Sequence, residues 1–135
     1  MLRYLIAYVA SGLAFAVIDA VWLTTMTNKL YKPVLGPIML AKPNMVAAVA
    51  FYLIMIGGIV FFAVAPALKE GGWTRALLNG AVLGLVCYAT YDLTNQATLA
   101  VWQTKLTILD LCWGTFVTGT AATIGYLATR WFEAR

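Results

Sequence analysis

The sequence predicts an all-α integral membrane protein, a bundle of four transmembrane helices with both termini on one side, the cytoplasmic one. Three observations predict it: a composition too apolar for water, four apolar runs of spanning length, and aromatic residues at the ends of those runs.

Of 135 residues, 63% are hydrophobic and only 10% are charged, and the mean hydropathy is +0.86. A soluble domain of this length needs a polar surface to cover its core, and nine Lys and Arg with five Asp and Glu cannot supply one. Lipid is therefore the expected solvent and the first partner. The net charge of +4 raises nucleic acid as another, but the cations stand singly and never form the basic stripe that phosphate contacts require. Nucleic acid is excluded on that ground.

The four runs cover 4–25, 45–66, 76–99 and 106–131, so that 1–135 forms a single membrane domain. Each is close to the roughly 20 residues that a helix needs to cross about 30 Å of hydrocarbon. Asn44, after Pro43, is placed to cap the second helix. Lys69-Glu70-Gly71-Gly72 reads as the turn into the third. The first run follows Arg3 but is longer than the apolar segment of a signal peptide, carries Asp19 and lacks a small-residue cleavage site, so it reads as a span. Tyr4, Trp73 and Trp131 fall where one interface lies, and Trp22, Tyr31 and Trp102 where the other does.

Cations near the run ends set the orientation. Arg3, Lys69, Arg75, Arg130 and Arg135 stand on the side of the termini, against Lys29, Lys32, Lys42 and Lys105 on the other, which places the termini in the cytoplasm. The segment 26–44 contains Pro33, Gly36 and Pro37, too apolar for a solvated linker and too short to span. It is expected as an interfacial loop, either passive or folded over the bundle as a lid.

The two cysteines, Cys87 and Cys112, lie within apolar runs and read as small buried hydrophobes. The absence of histidine removes the usual ligand of haem and transition metals, so any metal would have to be held by carboxylates.

Carboxylates are where the chemistry concentrates. Asp19, Asp92 and Asp110 all lie inside apolar runs, whereas Glu70 and Glu133 lie in a turn and at the tail. A carboxylate at the bilayer centre costs about 2.5–3.5 kcal/mol on insertion scales, so such residues face the bundle interior and are functional candidates. With helices 1 and 3 running one way and helix 4 returning, all three fall at the end away from the termini, roughly 6–10 Å below the interface.

Helical steps of three and four then collect the neighbours. Gly80, Gly84, Tyr88, Asp92 and Asn95 form one stripe; Asp110, Gly114, Thr118, Ala121 and Gly125 form a second; Tyr8, Gly12, Phe15, Asp19 and Trp22 form a third. The stripes are expected to face one another. Gly80-x-x-x-Gly84 marks a close helix contact, within the monomer or between protomers. Asp19-x-x-Trp22 and Asp110-x-x-Trp113 each place an indole N–H one turn from a carboxylate. Lys105 is the one cation near the acids. The candidate ligand-binding set is thus Asp19, Trp22, Tyr88, Tyr91, Asp92, Asn95, Lys105, Asp110 and Trp113; no catalytic set is assigned.

The Tyr91-Asp92-Leu93-Thr94-Asn95 tract, Leu109-Asp110-Leu111-Cys112-Trp113-Gly114 and Ile18-Asp19-Ala20-Val21-Trp22 together resemble a family of small predicted bacterial membrane proteins classed as a domain of unknown function. The resemblance covers almost the whole chain. It implies a multi-pass protein of the bacterial inner membrane with four helices, in a family sometimes encoded beside lipid-modifying enzymes, and it supplies no cofactor, activity or site residues.

Three function classes follow. The bundle binds or transports a cation, a proton or a polar, lipid-like small molecule at its carboxylates; or it is a non-catalytic subunit of a larger membrane complex whose acids only lock the fold; or it is a membrane enzyme component acting on lipids. No nucleophile and base pair, phosphate loop or metal-spaced cluster favours the enzyme, so binding or transport ranks first. A pathway across the membrane through so small a chain would call for a homo-oligomer.

Overall fold

The computed structural model describes residues 1–135 as four helical rods without a strand. Steps of four decide which side of the first rod is covered. On α1 (Leu2–Met26), Ala7, Ser11, Phe15 and Asp19 are buried, whereas Leu5, Val9, Leu13, Val17 and Val21, half a turn away, remain half exposed or more. That second stripe has only acyl chains to face. The predicted stripe on this helix is thus corrected by one residue at its lower end: Ala7 and Ser11, not Tyr8 and Gly12, enter the core.

The largest difference from expectation follows α1. The segment expected as a loop over 26–44 is helical to Ile38, through a π turn at Thr27–Tyr31, α2 (Lys32–Leu35) and a 3₁₀ turn at Gly36–Ile38. Only 39–44 leaves the helix before α3 (Met45–Ile59) begins. Pro33 and Pro37 made the segment look broken, but each sits in the first turn of its own short segment, where the missing N–H is not needed. The wide π turn just before Pro33 gives its ring room against the preceding carbonyls. The same arrangement recurs in the second rod. There α3, capped by Asn44 Oδ1 accepting from the Ala47 N–H at 3.2 Å, passes through a π turn at Val60–Val64 into α4 (Ala65–Lys69), with Pro66 in its first turn.

Gly71 and Gly72, at φ +136° and +73°, turn the chain into α5 (Gly72–Thr98) through backbone conformations that L side chains resist. A short link then leads to α6 (Thr104–Glu133). The rods Leu2–Ile38, Met45–Lys69 and Gly72–Thr98 are each long and apolar enough to cross a bilayer. At 30 residues α6 is as long, and Asp110 with many Gly and Thr makes it more polar. Eleven of its residues are buried, against four on α1 and four on α5, which puts it at the centre of the bundle.

The predicted α6 stripe is realised in full: Asp110, Gly114, Thr118, Ala121 and Gly125 are all buried. Gly80 and Gly84 of α5 meet it. A Cβ at Gly80 would stand 2.7 Å from Ala122 Cβ and 2.9 Å from Thr118 O, so the Gly80-x-x-x-Gly84 contact lies within the chain. At the other end Arg3 Nε pairs with Glu133 Oε1 at 2.9 Å, and Arg130 Nη1 with Glu133 Oε2 at 3.3 Å, so both termini meet at one end of the bundle.

The second rod is placed asymmetrically. Its lower half, from the π turn through α4, packs on both α5 and α6, whereas α3 rests on α1 and makes little contact with α5. A lateral gap is left between α3 and α5 at the level of the aspartates.

Candidate functional site

Four consecutive layers of the antiparallel α5/α6 pair bring the acids together. Gly80 packs on Ala122, Gly84 on Thr118 and Gly114, and the Tyr88 ring occupies the space where a Gly114 Cβ would stand. The next layer in that register opposes Asp92 to Asp110. Asp92 is 0% exposed and neither of its carboxyl oxygens receives a hydrogen bond from a protein donor. Its polar neighbour is the carboxyl of Asp110.

Asp110 and Asp19, 4% and 6% exposed, are held by donors from other rods. Tyr31, on the helical continuation of α1, donates its hydroxyl to Asp110 Oδ1 at 2.5 Å, and Trp22 Nε1 donates to the Tyr31 hydroxyl at 2.8 Å. Tyr52 of α3 donates to Asp19 Oδ2 at 2.5 Å, and Trp113 of α6 donates through Nε1 to Asp19 Oδ1 at 3.1 Å. The indoles do not serve the carboxylate one turn away on their own helix. They cross over, Trp113 to the aspartate of α1 and Trp22 through Tyr31 to the aspartate of α6, and the two rings stack with centroids 4.3 Å apart and planes 9° from parallel.

Above the acid pair lies a second polar chain. The Thr107 hydroxyl donates to Gln96 Oε1 at 2.6 Å and accepts from Trp102 Nε1 at 2.8 Å, while Gln96 Nε2 donates to the Thr104 hydroxyl at 3.0 Å. Gln96 stands one turn beyond Asp92, and Thr107 three residues before Asp110.

The donors and acids line an open cavity of about 580 Å³ that runs past Thr27, Leu35 and Met39 to Pro43. Asp19 and Asp110 are its acidic groups, and Trp22, Trp113, Tyr31, Tyr52, Tyr88, Tyr91 and Phe51 supply its aromatic lining. A cleft of about 360 Å³ continues from it between Phe51 of α3 and Cys87, Tyr88 and Tyr91 of α5. It opens through the gap left by α3. A larger groove of about 770 Å³ lies near the termini, lined by Tyr4, Tyr8, Phe61, Phe62 and Lys69 among others, and it holds no acidic group. No three acidic or thiol side chains gather closely enough to hold a metal ion.

Residues 4–127 match the family described as Predicted membrane protein (DUF2177). The chain belongs to that family. No curated protein and no solved structure matches it.

In this DUF2177 protein the structure gathers Asp19, Trp22, Tyr88, Tyr91, Asp110 and Trp113 around one cavity, with Asp92 behind Asp110. The three acids therefore adjoin, but two of them line the space and the third backs it. Asn95 stays half-buried on α5 and hydrogen-bonds no aspartate through its side chain, and Lys105 is exposed and pairs with none. A lysine at a helix start gains more from water and headgroups than from reaching a partly screened acid. Cys112 is exposed on the outer face, and Cys87 is half-buried at the cleft.

Sequence reasoning missed Tyr52, and it placed Tyr31 in the interfacial belt. Tyr31 stands nine residues, about two and a half turns of a regular helix, beyond Trp22, so its spacing gave no signal that the two meet. Tyr52 stood out only as a hydroxyl within an otherwise apolar run. Replacing Tyr52 by Phe leaves an oxygen of Asp19 without its donor. The variant is expected to lose about 1–2 kcal/mol, read as a lowered melting temperature in detergent.

Proposed function

We propose that this protein binds an amphipathic cation from the bilayer, its head group in the cavity between Asp19 and Asp110 and its chain in the cleft between α3 and α5. The observation that carries the reading is a cavity of about 580 Å³ lined by two carboxylates and seven aromatic side chains, with no cation of its own. Burying negative charge without a counter-ion is costly, and a ligand that brings the positive charge repays it. Aromatic faces add attraction of about 0.5–2 kcal/mol each for an alkylated ammonium, which has no need of hydrogen-bond acceptors. The lateral opening suits a molecule with a tail.

In this reading all four rods span, the membrane is a bacterial inner membrane and the termini lie in the cytoplasm. The stacked Trp22 and Trp113 supply the probe. Dodecyltrimethylammonium added to protein in dodecyl maltoside is expected to change the tryptophan emission saturably. Asp19→Asn or Asp110→Asn should weaken binding at least tenfold, about 1.4 kcal/mol. Equal binding by the wild type and the Asp19→Asn/Asp110→Asn double variant, or no saturable binding by the wild type, would overturn the proposal.

A further inference from the structure

We infer that Asp92 and Asp110 hold one proton between them while the cavity is empty, and that a cation arriving at Asp110 displaces it, so that the site exchanges a proton for its ligand. The inference deepens the binding role proposed above and rests on it for the exchange, though not for the resting proton.

The resting proton follows from the accounting of donors. Asp92 is fully buried and both of its oxygens lack a donor. Of the donors nearby, Tyr31 is committed to Asp110, Tyr52 and Trp113 to Asp19 and Trp22 to Tyr31, and the Tyr88 and Tyr91 hydroxyls donate to neither oxygen of Asp92. No lysine or arginine reaches either acid, because both ion pairs of the chain lie among Arg3, Arg130 and Glu133 at the far end. Two carboxylates in contact, with no cation and no donor between them, would repel across a water-poor space. One proton turns that contact into an O–H···O hydrogen bond and satisfies both groups.

The exchange follows from which member of the pair faces the cavity. Asp110 lines both the cavity and the cleft, and Asp92 lines neither. A cation therefore meets the pair from the Asp110 side, while the proton sits behind it. A cation on Asp110 favours the ionised form of the acid behind it in this poorly screened pocket. When the cation binds, the carboxylic acid of Asp92 gives up its proton to water, both acids become carboxylates, and the ligand supplies the compensating charge without forming any covalent bond.

A polar chain lies beyond the back of the pair without bonding Asp92. Gln96, Thr107, Thr104 and Trp102 form a hydrogen-bonded chain from one turn above Asp92 to the exposed start of α6. The other titratable groups facing the pair are Asp19 from α1, Tyr31 from its continuation, Tyr52 from α3 and Tyr88 and Tyr91 from α5, with Cys87 at the cleft. None is a cation. Because proton and ligand compete, affinity rises with pH, by up to about tenfold per unit while the pair is protonated.

Dodecyltrimethylammonium serves as the probe because its own charge is independent of pH. Calorimetric titration in two buffers of different ionisation enthalpy is expected to show one proton released per probe bound by the wild type. In Asp92→Asn, whose amide mimics the protonated acid but cannot ionise, the remaining binding is expected to be as weak as that of the wild type at low pH, to stay constant with pH and to release no proton. Binding without release in the wild type, or equal release in Asp92→Asn, overturns the exchange. The carboxylic-acid C=O stretch in infrared difference spectra of the wild type is the second measurement. It should disappear on addition of the probe, and its absence from the empty protein overturns the resting proton. A wild type that shows this band but binds no probe overturns the binding role instead, and the exchange with it.

Discussion

Gly84→Val is expected to yield no monodisperse protein from detergent, because α5 and α6 can no longer close. A Cβ at this position would fall on the backbone oxygen of Gly114 and within 2.7 Å of the Thr118 side chain. A flexible side chain could move aside; a helix backbone at the centre of the bundle cannot. The cost is set at about 3 kcal/mol or more, the upper end for an overpacked core, and it falls on the pair of helices whose register opposes Asp92 to Asp110. Gly58→Ala is the matched control. Its nearest neighbour would be Leu83 Cδ2 at 4.0 Å, so the variant should elute normally and gain a few tenths of a kcal/mol, up to about 1, from the stiffer unfolded chain. Size-exclusion profiles of the two variants decide the matter. A Gly84→Val protein as well behaved as Gly58→Ala would mean that the helices are not packed this closely.

The second large effect belongs to Asp110→Ala. This residue accepts from Tyr31, adjoins Asp92 and lines the cavity, so its removal acts on three structures at once. The Tyr31 hydroxyl loses its acceptor in a part-buried position, at about 1–3 kcal/mol. The helical continuation Thr27–Ile38 is then held by Leu30 and Leu35 on Leu106, by Tyr31 and Val34 beside them and by the Trp22 bond to the Tyr31 hydroxyl. Hydrogen exchange is expected to rise at least tenfold across that continuation while α5 and the inner half of α6 keep their protection. Binding of the cationic probe should fall further than in Asp110→Asn, since the polar contact is lost along with the charge. Tyr31→Phe separates the two consequences: it should loosen the continuation and leave the carboxylate able to bind. Unchanged exchange in Asp110→Ala would show that the continuation is anchored by these other contacts alone.

The acids were legible in the sequence for a physical reason. An aspartate within an apolar run is tolerated only if it turns inward, so Asp19, Asp92 and Asp110 announced the buried side of their helices, and steps of four carried the inference down α6 to Gly125. The donors were less legible. A tyrosine near the end of a run satisfies the interfacial belt as well as a buried hydrogen bond, and nothing in the spacing of Tyr31 or Tyr52 distinguishes the two before the rods are placed. Proline misled at 26–44, where Pro33 and Pro37 read as breaks although each begins a helical segment. Proximity in sequence misled at Lys105, which lies five residues from Asp110 yet stays with the solvent. The crossed pairing of indoles and carboxylates could not be read from Asp19-x-x-Trp22 and Asp110-x-x-Trp113, because it depends on two antiparallel helices lying side by side at one depth.

The lean of α3 away from α5 also changes the unit in which a ligand is counted. A binding site whose mouth opens among fatty acyl tails samples molecules per lipid rather than per litre, so the concentration that governs occupancy is a mole fraction in the leaflet. Each methylene added to a tail enriches the compound in that leaflet by about 0.8 kcal/mol of partitioning. Potency measured from the aqueous side would therefore climb along a homologous series even if every member met the aspartates and rings with the same intrinsic strength.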